Sequence, residues 1–397
     1  MKNIFFFGAS FYQEAAIKIL ENDSDFRLFI FSGMKNDPLI KSAKNPVIVD
    51  ILSPDAVLQK VNDLGITPNA CITTCTDWPL SSIGRLNDVF NLPGITEEVA
   101  NFCFDKIQMK KRFKQHKVPS ANFNLLESYE DFMSKKDDII YPSFFKAPKG
   151  SGSRGILKVD SSNEVDKVKE VFSCSKNQAI LVEEPLVGHE FGAQVIVQHG
   201  RVTNCFLHRD TVTSPPIQVP IGHSVPYLDP NGEIYKKTKM ALSLAVEALN
   251  IQNSVCNCDL ILDSRDGQVK VIEISPRVGA TGLAEIIKLS YGVDLYSVAI
   301  NLALGLEVSI PEVIEPICSS AILTIRSDSN GVLKGFDGLQ NGIDFLFKTK
   351  PGGKVKKFTN GPDILGMMLT SSKDGGVLDL EEELLVAHQK MNIIFES

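Results

Sequence analysis

Two acidic side chains, Asp259 and Glu273, have the types and spacing in this sequence that point most directly to chemistry. Asp259–Asp263 and Val269–Ser275 read as strands, and the intervening Ser264-Arg265-Asp266-Gly267-Gln268 contains an Asp-Gly turn signal. A turn centred on Asp266 sets Asp259 directly opposite Glu273. The two-residue period of a strand then puts Ser275 on the same face and turns Ile272 and Ile274 away. Opposed side chains start about 5 Å apart at Cβ, and two carboxylates about 4 Å apart repel by roughly 4 kcal/mol at an effective dielectric of about 20. A hairpin keeps such a pair only with a proton or a cation between them. Hard oxygen ligands favour Mg²⁺, with phosphate oxygens completing its shell. Arg277 adds a fork suited to phosphate or carboxylate. In isolation the segment also reads as a solvated acidic face, and a one-residue slip in register would undo the pairing.

A second group of residues offers contacts to a nucleotide. Lys149-Gly150-Ser151-Gly152-Ser153-Arg154-Gly155 contains G-x-G-x-x-G but runs into Ile156–Val159, a strand pattern. The strand–turn–helix setting of a dinucleotide loop is therefore missing. A glycine-rich loop between strands instead offers bare backbone N–H groups to phosphates, with Lys149 and Arg154 adding charge. Lys146, near the end of the strand Ser143–Ala147, is placed to reach an α- or β-phosphate. Protein kinases also use a glycine-rich hairpin, but D-F-G is absent. Further on, Glu183-Glu184-Pro185-Leu186 ends an apolar strand with donors and acceptors for an adenine edge, and Glu190 is spaced to accept from ribose hydroxyls.

The elements that must hold these residues can be read in outline. At 397 residues the chain calls for two or three domains. Its 43% apolar and 22% charged content is that of a globular protein. The net charge of −7 argues against nucleic acid as a partner. No stretch approaches the roughly 18 apolar residues of a membrane span, and the N-terminus lacks the pattern of a secretory signal, so a cytoplasmic location is expected. The eight cysteines are scattered without zinc-ribbon spacing and read as reduced core thiols. Residues 1–120 alternate strands and helices, the pattern of an open parallel α/β domain, with Ser53-Pro54 marking a helix start. Short antiparallel strands follow, then a long helix over Glu233–Leu249, the acidic hairpin and two helices. Pro311 and Pro316 mark a linker to a Gly-rich end.

Taken in order, Asp105-Lys106, Lys146 with its glycine loop, Glu183 to Glu190, and Asp259 to Arg277 resemble the ATP-grasp superfamily of carboxylate–amine and carboxylate–thiol ligases. The resemblance implies an N-terminal α/β domain (1–120), an ATP-grasp domain (121–310, its halves 121–195 and 196–310) with antiparallel sheets, and a small C-terminal α+β region (311–397). It implies ATP with Mg²⁺, or Mn²⁺ in its place, and small-molecule carboxylate and amine substrates held by a homodimer. Lys106 and Lys146 would contact phosphates beneath the loop of Lys149, Ser151, Gly152 and Ser153. Glu183 would take the adenine amino group, Glu184 and Leu186 would line its edge, and Glu190 would hold the ribose. Asp259 and Glu273 would bridge the metal, and Arg277 would stabilise the transferred phosphoryl group. Ser275 stands where the family pattern Glu-x-Asn-x-Arg has Asn, which leaves a second metal position weaker. Ile221-Gly222-His223-Ser224-Val225-Pro226 resembles a stretch of L-amino-acid ligases and carbamoyl-phosphate synthetase-like domains, placing His223 near the acceptor amine or acyl phosphate. The implied reaction is amide formation through an acyl phosphate, with release of ADP and phosphate. Activation of bicarbonate or formate, or nucleotide binding with weak catalysis, are the alternatives.

Overall fold

The chain opens on a hydrophobic run that is buried on both sides. The structure, a computed structural model, describes residues 1–150, 155–176, 178–213 and 219–396. Strands β1 (Lys2–Phe7), β2 (Phe26–Ser32), β3 (Pro46–Ile48) and β4 (Ala70–Ile72) form a parallel sheet of order β3-β2-β1-β4. Phe5, Phe7, Phe29 and Phe31 enter one core with Val57, Val61 and Leu86 of the helices Pro54–Leu64 and Leu80–Phe90. Ile4, Phe6 and Ile30 enter another with Ala16, Ile17 and Leu20 of the helix Glu14–Asn22. Covering helices on both faces explain why β1 reads as a continuous apolar run. Ser53 caps its helix, accepting from the Ala56 N–H at 3.3 Å, with Pro54 as the first helical residue.

Strands β5 (Phe123–Leu126), β6 (Ser143–Lys146), β7 (Ile156–Val159) and β8 (Ile180–Glu183) form a small antiparallel sheet, order β5-β8-β6-β7. Lys146 pairs with Leu181, so Lys146 and Glu183 share a face on adjacent strands. A larger sheet runs through β9 (Gly188–Gln198), β10 (Arg201–Val212), β11 (Pro220–Val225), β12 (Ser254–Asp263), β13 (Gln268–Ser275), β14 (Ser319–Ile325), β16 (Asp344–Phe347) and β18 (Gly366–Ser372), in the order β13-β12-β9-β10-β11-β14-β18-β16. Strands from beyond residue 310 thus extend the sheet that carries the acidic hairpin. Strands β15 (Gly331–Asp337), β17 (Lys354–Val355) and β19 (Asn392–Phe395) make a third antiparallel sheet.

One face of the larger sheet is dry. Phe191, Ala193 and Val195 of β9, Cys205 and Leu207 of β10, and Cys256, Cys258 and Leu260 of β12 pack under the helix Glu233–Leu249. The alternate residues Gly192, Gln194, His208, Asn257 and Asp259 therefore share the other face. All eight cysteines are free thiols, and five of them, Cys71, Cys103, Cys205, Cys256 and Cys258, are core residues.

Asp259 does lie opposite Glu273, but the turn is not centred on Asp266. Asp263 pairs with Gln268 and Leu260 with Val271, a register set half a residue earlier, and a bulge between Asp259 and Leu260 then restores Asp259 to Glu273. The extra residue is Ile272. Strict alternation would put Val271 on the face of Glu273. The bulge lets Val269, Val271 and Ile274 all join the dry core while Glu273 and Ser275 keep the open face. Gly267 takes φ +67° in the turn, a left-handed position that suits glycine. Asp263 braces the turn, accepting from Arg265 Nη2 at 2.6 Å and Lys270 Nζ at 2.7 Å. Replacing the cap by Ser53→Ala should cost about 1 kcal/mol, read as an earlier denaturant midpoint without change in the far-ultraviolet spectrum.

Candidate functional site

The acidic pair is built into a polar row across the open face. Asn257 lies opposite Ser275 and donates through Nδ2 to Asp259 Oδ1 at 3.3 Å. Gln194 Nε2 donates to Asn257 Oδ1 at 2.6 Å, and Gln194 Oε1 accepts from the Gly279 N–H at 2.8 Å. Asp259 keeps an edge open to solvent, yet the surrounding protein strips much of its hydration. That desolvation, with Glu273 and then Asp210 nearby, pushes its carboxyl up to about 7. Glu273 has a cation within reach. Lys106 Nζ lies 3.3 Å from Glu273 Oε2 and donates to the Gly150 carbonyl at 3.1 Å.

Lys106 is placed by both of its neighbours in sequence and space. Asp105 caps the helix Lys106–Gln115, accepting from Ile107 N and Gln108 N. The Lys106 N–H donates to the Pro148 carbonyl at 2.8 Å, tying the helix start to the entry of the glycine loop. One helical turn on, Lys110 is buried and lies 3.2 Å from Glu183 Oε1, while Lys146 Nζ is 2.5 Å from Glu183 Oε2. Burial works to raise the Glu183 pKa, but the two lysines outweigh it and hold the carboxylate below its usual range. Burial pushes the Lys110 ammonium down, against the pull of Glu183. Three lysines, from one helix and the small sheet, thus converge on two carboxylates from different sheets. Lys110 carries no chemistry in the sequence pattern. Its spacing of four from Lys106 was the available signal.

The other expected nucleotide residues divide. Glu184 is a clamp: its Oε1 accepts from Asn122 N and Nδ2, both at 3.0 Å. Leu186 sits half-buried in the link to β9. Glu190 is exposed on β9, two residues from Gly192 and on the same face. Lys149 is exposed at the loop entry, while Ser151, Gly152 and Ser153 lie outside the described residues.

Arg277 is anchored on the N-terminal sheet. Its Nε and Nη2 donate to Asp77 Oδ1 and Oδ2 at 2.8 and 3.0 Å. Burial disfavours the guanidinium charge, and Asp77 more than offsets this, holding its pKa above the ordinary value. Beside it, Thr74 bridges to Val278 and the Cys75 N–H donates to the Val278 carbonyl at 2.9 Å. The carboxyl end of β4 therefore abuts the exit of the acidic hairpin, the end at which open α/β sheets place ligands.

His223 belongs to a cluster that the sequence pattern did not disclose. Asp210 Oδ1 lies 2.6 Å from His223 Nδ1 and 2.8 Å from His208 Nδ1. The three side chains could also hold a metal ion, but their separations are those of hydrogen bonds. The H-x-D spacing at 208–210, on a strand, was the missed signal.

Residues 103–281 match the ATP-grasp domain family. With the sheets above, this stretch of the chain carries an ATP-grasp domain. A relative in sequence is the L-arginine-specific L-amino acid ligase of Bacillus subtilis, 22% identical over 66% of this chain, which spans 64% of that protein's length. In fold the chain is similar to the L-amino acid ligase of Bacillus licheniformis (TM-score 0.82, 18% identity, 100% and 99% of the two chains). It is also similar to the phosphoribosylglycinamide synthetase of Anaerococcus prevotii (TM-score 0.79, 27% identity, 100% of both). Among the described residues no helix is long and apolar enough to cross a membrane.

The raised Asp259 carboxyl gives a pH test. Its folded pKa lies above the unfolded value of about 4, so its contribution to stability is complete below that pH and is lost as pH rises through about 7. A divalent cation binds the ionised form. Affinity for Mg²⁺ should therefore rise about tenfold between pH 6 and 8, and Asp259→Asn should flatten that slope in calorimetric titration.

Proposed function

We propose that this protein uses ATP to activate a carboxylate as an acyl phosphate and passes the acyl group to an amine, forming an amide. The observation that carries the proposal is the junction at Lys106, where one lysine touches both the glycine-loop backbone and Glu273 of the acidic pair. That junction brings a phosphate-binding loop and a metal-binding wall into one cluster. Asp259 and Glu273, with the Ser275 hydroxyl beside them, would hold Mg²⁺ or Mn²⁺, and hard oxygen donors facing one another fit such an ion. The ion would neutralise phosphate charge when bound with the nucleotide.

Lys106 and Lys146 hold the phosphates under the 149–155 loop. Glu183, kept ionised by Lys146 and Lys110, faces the adenine amino group, Leu186 meets the ring edge through its backbone, and Glu190 takes the ribose. Arg277, aligned by Asp77, stabilises the transferred phosphoryl group, and His223 lies toward the acceptor. Catalysis in this arrangement is positioning and charge neutralisation. The division at residues 120 and 310, a homodimer and small-molecule substrates complete the proposal. Amino-acid ligases in both sequence and fold comparisons favour an amino acid, or an amino group on a small metabolite, as acceptor.

With ATP, Mg²⁺ and a panel of amino acids, ADP and phosphate should appear only with a productive pair. Glu273→Gln should lower that rate at least about 100-fold. ATP binding without substrate-dependent ADP across the panel would overturn the proposal, and release driven by bicarbonate alone would redirect it.

A further inference from the structure

We propose that His208 is the proton acceptor for the amine in the bond-forming step, with Asp210 as its positioning residue; this assignment rests on the ligase reading above. The argument begins with register. Glu273 pairs with Asp259, Asp259 with Gly192, and Gly192 with His208, so all four sit in one cross-strand row on the open face. Neighbouring strands are about 4.8 Å apart, which sets His208 two strands from Asp259 with only a glycine between them.

That glycine is required. A Cβ at Gly192 would lie 2.0 Å from His208 Cε1 and 2.3 Å from Nε2. The imidazole therefore leans off its own strand and lies over Gly192, toward the strand of Asp259. Its Nδ1 is held by Asp210 Oδ1 at 2.8 Å, while Nε2 is buried and has no hydrogen-bond partner. An unpaired buried ring nitrogen is costly, and here it packs against Gly192, the residue that pairs with Asp259 on the next strand.

Asp210 also sets the tautomer. Its Oδ1 faces the Nδ1 atoms of both His208 and His223, so each ring donates from Nδ1 and keeps Nε2 basic. Burial opposes the Asp210 charge, but the two imidazoles hold its carboxyl well below the usual range. Burial pushes the His208 imidazole down despite Asp210, which keeps it neutral and ready to accept. The charged and titratable groups facing it are Asp210 on its own strand, His223 on β11 and, across Gly192, Asp259 on β12.

The step balances. The neutral amine nitrogen attacks the acyl carbon, the C–N bond forms, and the bond from carbon to the phosphate oxygen breaks with its electron pair going to phosphate. The nitrogen, now positive, gives one proton to His208 Nε2. The imidazolium passes it to the departing phosphate, which leaves as hydrogen phosphate.

Hydroxylamine separates this step from activation, because it is largely unprotonated at neutral pH and needs little help to react with an acyl phosphate. In His208→Gln, hydroxamate formation should stay within about threefold of wild type while amide formation falls about 100-fold. Gly192→Ala, which displaces the ring and leaves the imidazole in the chain, should give the same split. Equal loss of hydroxamate and amide in both variants, or amide formation unchanged, would overturn the assignment. Wild-type protein that makes no carboxylate-dependent hydroxamate would instead remove the ligase reading beneath it.

Discussion

Two carboxylates facing each other on adjacent strands are the constraint around which this molecule is arranged. Asp259 and Glu273 repel, and the fold meets that repulsion in three ways at once: a raised Asp259 pKa, an amide from Asn257 and a lysine against Glu273. Each is a compensation of a kind that a bound cation could replace. Perturbed, mutually repelling groups of this kind cluster at functional sites.

Much of the surrounding structure follows from keeping that pair in place. The bulge at Ile272 reconciles two demands on β13, a dry core under the helix Glu233–Leu249 and acidic groups on the opposite face. Asp263, Arg265 and Lys270 fix the turn that sets the register. Arg277 on Asp77 and the bridge from Thr74 to Val278 join the hairpin to the parallel sheet, so the first part of the chain forms a wall of the same site. The Asp105 cap does the same from the other side, aiming Lys106 at the loop and at Glu273 together.

The fold was legible where local chemistry decides it. The apolar run of β1, the Ser53-Pro54 helix start and the helix Glu233–Leu249 are all written in periodicity or capping. The facing of Asp259 and Glu273 was also readable, though for an incomplete reason, since a bulge cannot be counted from alternation alone. What stayed hidden depends on strands distant in sequence. Lys110 acquires meaning only when β8 brings Glu183 to it, and Asn257 only when Gln194 and Ser275 flank it. His208 looks like an ordinary strand residue until Gly192 on the next strand leaves it room.

The central claim is that Asp259 and Glu273 bind a divalent cation together with the nucleotide. Electron paramagnetic resonance of Mn²⁺ tests it directly, because bound and free ion give distinct spectra. Wild-type protein should immobilise Mn²⁺ in the presence of ADP, and Asp259→Asn and Glu273→Gln should each release it to solution while the fold persists. Undiminished immobilisation in both variants would contradict the account, because the metal would then be held somewhere other than this acidic pair.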